Sequence, residues 1–436
     1  MPRTFIKHFP ERFPRAHRWG GRLLTLFIGQ SVLQAINFVI GFLLIRWMSV
    51  EAYAQFGVVF GFQSTLGMLV DLGFGGCIIS LVGNRGDQPA VIGGYIAAAH
   101  WFRTRLFAVI IPFAAIGFYW IGLKHGWNAI ELTLLFICMA VALYSQGRTS
   151  WYSAPLLIHH RISRLYRVQN LSAMGRLIAT ALLQLGGWLS ALTATVVNTA
   201  ALAWNAVNYV REAQPYVNVP PHSDREVRRE MLAYLAPLIP GVAFTALQGQ
   251  LLVLLISIFG KTQNIAEVAA LGRLGQLFLL LSAVNSTLIE PYFARLSRDL
   301  LWPRYLLVVG TAIIVGTGVA LAAFLFPGPL LWILGGKYEH LDRELGWMMA
   351  ASSLSYIGSV MWTIHAARKW VYWWGSFFYI GLLTAVQAVF IASVDLNTTL
   401  SVLYLGFATS LAVMVVHIAT ATAGFHSDHR GKPNAT

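Results

Sequence analysis

The sequence predicts an all-α membrane protein: twelve transmembrane helices as two six-helix bundles related by a parallel repeat, with N- and C-termini cytoplasmic. Three observations lead there. First, 57% of the 436 residues are hydrophobic and 11% charged, with a mean hydropathy of +0.63. A soluble domain carries about a quarter charged residues. Second, apolar stretches of about 20 residues recur along the chain, and each is long enough as a helix to cross a hydrocarbon core. No stretch alternates as an outer-membrane barrel strand does. Third, basic residues gather in every second loop, which fixes an orientation.

The spans are expected at 23–45, 55–80, 104–123, 128–147, 166–187, 190–210, 231–258, 266–292, 304–326, 344–364, 370–392 and 398–423. Before them lies a basic segment, 1–22, with Arg3, Lys7, Arg12, Arg15, Arg18 and Arg22. A cleavable signal peptide has a shorter charged region and a small-residue cleavage site. The segment therefore reads as a cytoplasmic tail, and 424–436 as a second one. Residues 89–102 mix Gly, Ala, Tyr, His and Trp and are expected as an interfacial helix ahead of span three. With the N-terminus inside, 24 of the 31 Lys and Arg fall on the cytoplasmic side, Arg103 among them, and 5 fall outside. Under the positive-inside rule that bias places both termini in the cytoplasm. It also makes nucleic acid an unnecessary explanation for the net charge of +14.

A linker at 213–229, rich in proline and charge, divides an N-terminal half, 23–212, from a C-terminal half, 230–423. The halves share weak internal similarity. Glu51 and Glu267 open the second span of each half, and Gln34 and Gln250 lie in the first, both pairs 216 residues apart. An even number of spans per half makes the repeat parallel.

The stretch from Ser49 to Ser80 is the most informative. A polar turn, Ser49-Val50-Glu51, opens a long apolar run that is interrupted by Asp71, Gly73, Gly75 and Gly76. A carboxylate inside a membrane helix is expensive, and such residues face a cavity or a partner helix. The pattern Ser-x-Glu-x-Tyr-x-x-Phe-Gly after a first span, then a span ending in Asp-Leu-Gly-Phe, resembles the polysaccharide (O-antigen/exopolysaccharide) flippases of the multidrug/oligosaccharidyl-lipid/polysaccharide exporter superfamily. The resemblance is clearest over residues 20–190. It implies a transporter in the bacterial inner membrane that moves an undecaprenyl-diphosphate-linked oligosaccharide across the bilayer by alternating access. It also implies contact with a polysaccharide polymerase or export machinery.

The residues themselves suggest where a ligand would bind. Gln30, Gln34 and Asn37 recur at i, i+4 and i+7, so three amides share one face of the first span. Span seven offers Gln248 and Gln250. Amides both donate and accept hydrogen bonds, which suits a hydroxyl-rich ligand, although interhelical packing explains them as well. Arg176 lies roughly 15 Å into span five and Arg273 roughly 10 Å into span eight, at 1.5 Å per residue. Each arginine is a candidate contact for phosphate oxygens, which its planar fork binds in pairs. Asp71 and Glu290 are the acids that would pair with an arginine or carry a coupling ion; Glu290 precedes Pro291 and reads as interfacial.

Two other functions stay open. A multidrug-type carrier of the same superfamily also has twelve spans, but it binds organic cations and favours acidic cavities. A membrane polysaccharide polymerase or ligase needs a sizeable outer loop, and the longest here, around Phe326 to Arg343, is under twenty residues. No Walker loop, HExxH or GxSxG occurs. Cys77 and Cys138 have no metal-ligand spacing. The chain thus reads as no enzyme, with no cofactor and no metal.

Overall fold

The computed structural model describes residues 13–429 apart from 160, 237–238, 250, 279–280, 282–284, 286–288, 369 and 371, with side chains from residue 29 onward. Among the described residues every regular element is helical. That is what a bilayer demands, since a helix satisfies its own backbone groups. The main helices are α1 Phe13–Trp47, α2 Val50–Asp71, α3 Phe74–Val82, α4 Pro89–Lys124, α5 Ala129–Ile158, α6 Ile162–Leu185, α7 Ala191–Ala213, α8 Arg225–Leu235, α9 Ile239–Gly249 and α10 Leu251–Phe259. Then come α11 Thr262–Gly275, α12 Glu290–Arg295, α13 Arg298–Leu325, α14 Pro327–Leu334, α15 Asp342–Ala367, α16 Trp373–Ser393 and α17 Thr399–His429.

Seven stretches among the described residues are long and apolar enough to cross a membrane: Gly29–Trp47, Val50–Val82, Pro89–Lys124, Ala129–Ile158, Arg298–Leu325, Trp373–Ser393 and Thr399–Ser427. α6, α7 and α15 match expected spans in position but carry more polar residues, among them Arg176 in α6 and Asp342, Arg343 and Glu344 in α15. Large apolar side chains such as Val109, Phe113 and Ile116 of α4 are exposed. In a bilayer the solvent for such residues is lipid, so exposure carries no penalty.

The chain forms two compact units, one of Met1–Ile40, Leu66–Gly117 and Ile130–Val242, the other of Gly41–Thr65, Phe118–Ala129 and Ala243–Thr436. In the first, Phe74, Ile78 and Val82 of α3, Ile92, Tyr95 and Ile96 of α4, and Met231 and Leu235 of α8 make one buried core. α8 is amphipathic and starts where Asp224 accepts a hydrogen bond from the Glu226 amide at 3.0 Å. α6 and α7 pair, and α7 opens with a capping box between Ser190 and Thr193. In the second unit, α13, α15 and α17 pack through Tyr305, Ile357, Val360, Ile364 and Ala421, with Trp370 fully buried beside them.

One expectation is corrected. Residues 89–102 are not a separate interfacial helix. They form the first turns of the 36-residue α4, because Ile92, Tyr95, Ile96, Ala98 and Ala99 are all buried in the core. Arg103 is therefore no loop charge; it sits inside α4 and is 2% exposed. Within span seven the described stretches are α8, α9 and α10, and residues 237–238 and 250 between them lie outside the described residues. Within span eight α11 runs to Gly275, and Gln276 and Leu277 form a turn; much of 278–289 lies outside the described residues.

The break between α2 and α3 explains the glycines after Asp71. Leu72 and Gly73 both adopt positive φ, 44° and 80°. A residue other than glycine is uncommon there, so Gly73 takes the second position at no steric cost.

Candidate functional site

A cavity of about 590 Å³ opens inside the second unit, between α2, α9, α11, α15 and α17. Its wall mixes aromatic rings with amides and hydroxyls: Phe60, Tyr356, Tyr379, Gln248, Ser355 and Thr409 are examples. Among its described lining residues Arg273 is the single charged side chain. Arg273 occupies the last turn of α11, where the carbonyl end of the helix dipole favours a cation. Its guanidinium lies 4.2 Å from the centroid of Phe60, and its Nη1 donates to Gln276 Oε1 at 3.2 Å. Tyr53 is also in hydrogen-bonding reach. All three partners are neutral, so they aim the guanidinium without cancelling its charge.

Gln248 lines the cavity and also ties α9 to α16. Its Nε2 donates to Gln387 Oε1 at 3.0 Å, and Gln387 Nε2 donates back at 2.6 Å. Gln387 also reaches Thr409 on α17, 3.4 Å away. Both alternatives weighed for this amide, cavity lining and packing, describe it. Gln250 lies outside the described residues.

The other site residues fall in the first unit, except Glu290. Arg176 Nη2 donates to Asn37 Oδ1 at 2.5 Å and Nη1 to Asn198 Oδ1 at 2.8 Å, so one guanidinium links α1, α6 and α7. Gln30 and Gln34 are half-buried on α1. Asp71 pairs with Arg103, with 3.4 Å between Oδ1 and Nη1, and accepts from Ser150 Oγ at 3.2 Å. Arg103 also donates to the Leu143 carbonyl and lies 5.7 Å from the Trp151 ring centroid. Gly147 makes room for it: a Cβ there would stand 2.2 Å from the guanidinium carbon. The ion partner of Asp71 is thus Arg103, a residue taken from the sequence as a loop charge. Glu290 is exposed and opens the short helix α12.

Sequence reading missed Arg103, Gln387 and the surroundings of Glu267. The sequence carried no clear signal for Arg103; it is the burial of the preceding turns of α4, Ile92 to Ala99, that carries the charge inward. Glu267 was noted only as a repeat marker. It is 4% exposed and receives hydrogen bonds from Gln263 at 2.9 Å and Thr399 at 2.5 Å.

No family model matches the chain, and no curated protein matches it. Solved structures do. An inward-facing multidrug resistance MATE family transporter of the MOP superfamily aligns with TM-score 0.68 at 13% identity, over 92% of this chain and 96% of that one. The lipid II flippase MurJ, in an inward closed conformation, aligns with TM-score 0.65 at 12% identity, over 93% and 89%. An outward-facing MATE transporter aligns with TM-score 0.56 at 14% identity, over 94% and 95%. At these identities the likeness concerns the fold: the chain has the helical membrane-transporter fold that MATE proteins and MurJ share.

Proposed function

We propose that the chain is a flippase, translocating an undecaprenyl-diphosphate-linked oligosaccharide across the bacterial inner membrane by alternating access for polysaccharide biosynthesis. The observation that carries this reading is Arg273. It is a cation held by neutral groups in a cavity whose described wall contains no carboxylate. Such a wall attracts an anion and repels organic cations. The amides and hydroxyls around it match sugar hydroxyls, and aromatic faces such as those of Tyr356 and Tyr379 match the apolar faces of sugar rings. Arg176 in the first unit would serve the diphosphate in the same way, at the cost of exchanging its amide partners for phosphate oxygens.

Twelve crossings, cytoplasmic termini and the division at 213–229 belong to the same proposal. So does Asp71 as the acid of a fixed ion pair and not of a mobile one.

A second reading is supported by the fold, which MATE multidrug transporters share. Efflux of an organic cation would need an acid in the cavity, and the described lining supplies none. Deleting the gene and analysing undecaprenyl-linked sugars separates the two. A flippase mutant accumulates the lipid-linked repeat unit on the cytoplasmic side and keeps its resistance to cationic dyes. Dye sensitivity with normal polysaccharide would select the efflux reading instead.

A further inference from the structure

The connection between α14 and α15, Gly335 to Leu341, is tied down at several points within the second unit. Lys337 Nζ donates to the Arg46 carbonyl at 3.2 Å and also to the Met48 carbonyl. Arg46 is in the last turn of α1 and Met48 just past it, so neither carbonyl has a partner inside the helix. Arg46 itself lies over the ring of Trp332 in α14, 5.2 Å from its centroid. Three residues on, His340 Nε2 lies 3.1 Å from Oε1 of the buried Glu267 in α11. Tyr338 between them is 1% exposed.

This strap contacts or adjoins the helices that wall one end of the cavity. The cavity walls come in part from α2, α11 and α15: α2 begins just past the Met48 carbonyl that Lys337 holds, α15 begins where the strap ends, and His340 meets α11 at Glu267 in its second turn. The first lining residues are Tyr53, Val268 and Met348. They stand about 5, 9 and 9 Å along helices that start at Val50, Thr262 and Asp342, at 1.5 Å per residue. Glu267, which the strap grips, immediately precedes Val268. The basic-loop count assigns this end to the outer face.

The closed strap also carries costs. The Tyr338 hydroxyl is buried and finds no hydrogen-bond partner among the described residues. Burial pushes the Lys337 ammonium below the ordinary lysine pKa, with Glu51 opposing that shift. Opening would return the Tyr338 hydroxyl to water and give up the ties to α1 and Glu267. A segment with opposed terms of this kind is suited to two states.

We infer that Gly335–Leu341 is a gate over the outer end of this cavity, latched by Lys337 on the C-terminus of α1 and by His340 on Glu267. The inference concerns access and not the ligand, so it stands or falls separately from the substrate assigned above.

The test uses the full chain in intact cells, with Cys77 and Cys138 replaced by serine. Glu339→Cys, at an exposed position of the strap, reports which side the strap faces. It should react with a membrane-impermeant maleimide; no reaction in well-inserted protein overturns the outer placement. Ser352→Cys, on the cavity wall, reports access. Combining it with Lys337→Met and His340→Ala should speed its labelling about tenfold, since the three hydrogen bonds that hold the strap are gone. Tyr338→Phe, which removes the unsatisfied hydroxyl and keeps the ring, should slow it. An unchanged labelling rate in the double variant overturns the gate. Should the double variant insert poorly, the two single changes serve instead, each with an expected rise of about threefold, and an unchanged rate in both overturns the gate equally.

Discussion

Arg273 rests its guanidinium on the ring of Phe60, 4.2 Å from the centroid, where the last turn of α11 meets α2. A ring face attracts a cation and shields one side of it from water without supplying a counter-charge. The result is an oriented cation inside a cavity of the second unit. The account predicts that Phe60→Leu keeps the fold, costs about 0.5–1 kcal/mol in ligand binding, and lowers export a few-fold. Export at the parental rate would show that the stacking does not position the arginine.

Asp71 and Arg103 give a prediction about stability. The Arg103 side chain is 3% exposed and that of Asp71 30% exposed, so the pair is only partly out of water. Breaking a fully buried pair costs about 3–5 kcal/mol; with Asp71 open on one side, Asp71→Asn should cost about 2 kcal/mol. The double change Asp71→Asn with Arg103→Gln should recover part of that loss in a thermal melt. Strictly additive losses would show that the two do not act as a pair. Gly147→Ala should mimic the single change, because its new methyl would occupy the guanidinium site.

How much of this was legible in the sequence differs by residue. Asp71 beside Gly73 was readable as a costly acid that either pairs with an arginine or carries a coupling ion, because a membrane carboxylate needs a reason. Its partner was not. Arg103 stood next to a loop in any count based on span length, and only the 36-residue α4 carries it inside. Arg273 was readable as a cavity cation, but its place at a helix end was not, since Gly272 and Gly275 are compatible with either a continuing helix or a stop. Asn37 was readable as polar and inward-facing. That it meets Arg176, 139 residues away, is a matter of tertiary packing. The same holds for Gln248 and Gln387. Local periodicity reports faces and lengths; it does not report which distant face answers.

The Arg176 contacts carry a prediction of a different kind. Each amide accepts from a charged donor, so Asn37→Ala and Asn198→Ala should each cost about 1.5–3 kcal/mol of stability. Arg176→Ala should cost at least as much, since it releases both amides at once. If thermal melts show Asn37→Ala to be neutral, the guanidinium does not depend on α1.

The Gln248–Gln387 pair separates packing from ligand contact. Changing either glutamine to leucine strands the other amide and should destabilise by about 1–3 kcal/mol. Changing both to leucine removes donors and acceptors together and should be nearly neutral in a melt. If the amides also meet sugar hydroxyls, the double variant will be well folded and still export poorly. Full export by that variant would leave them as helix-packing residues only.

The central claim is that Arg273 serves a phosphate inside the cavity, and the most direct measurement is the sidedness of the lipid-linked oligosaccharide in a deletion strain expressing Arg273→Ala. The diphosphate cannot cross about 30 Å of hydrocarbon without a cation to meet it. The account predicts normal levels of inserted protein and accumulation of the lipid-linked unit on the cytoplasmic side. Arg273→Lys should restore export in part, because the charge is kept and the paired fork is lost. Arg273→Ala protein that exports polysaccharide at the parental rate would contradict the claim.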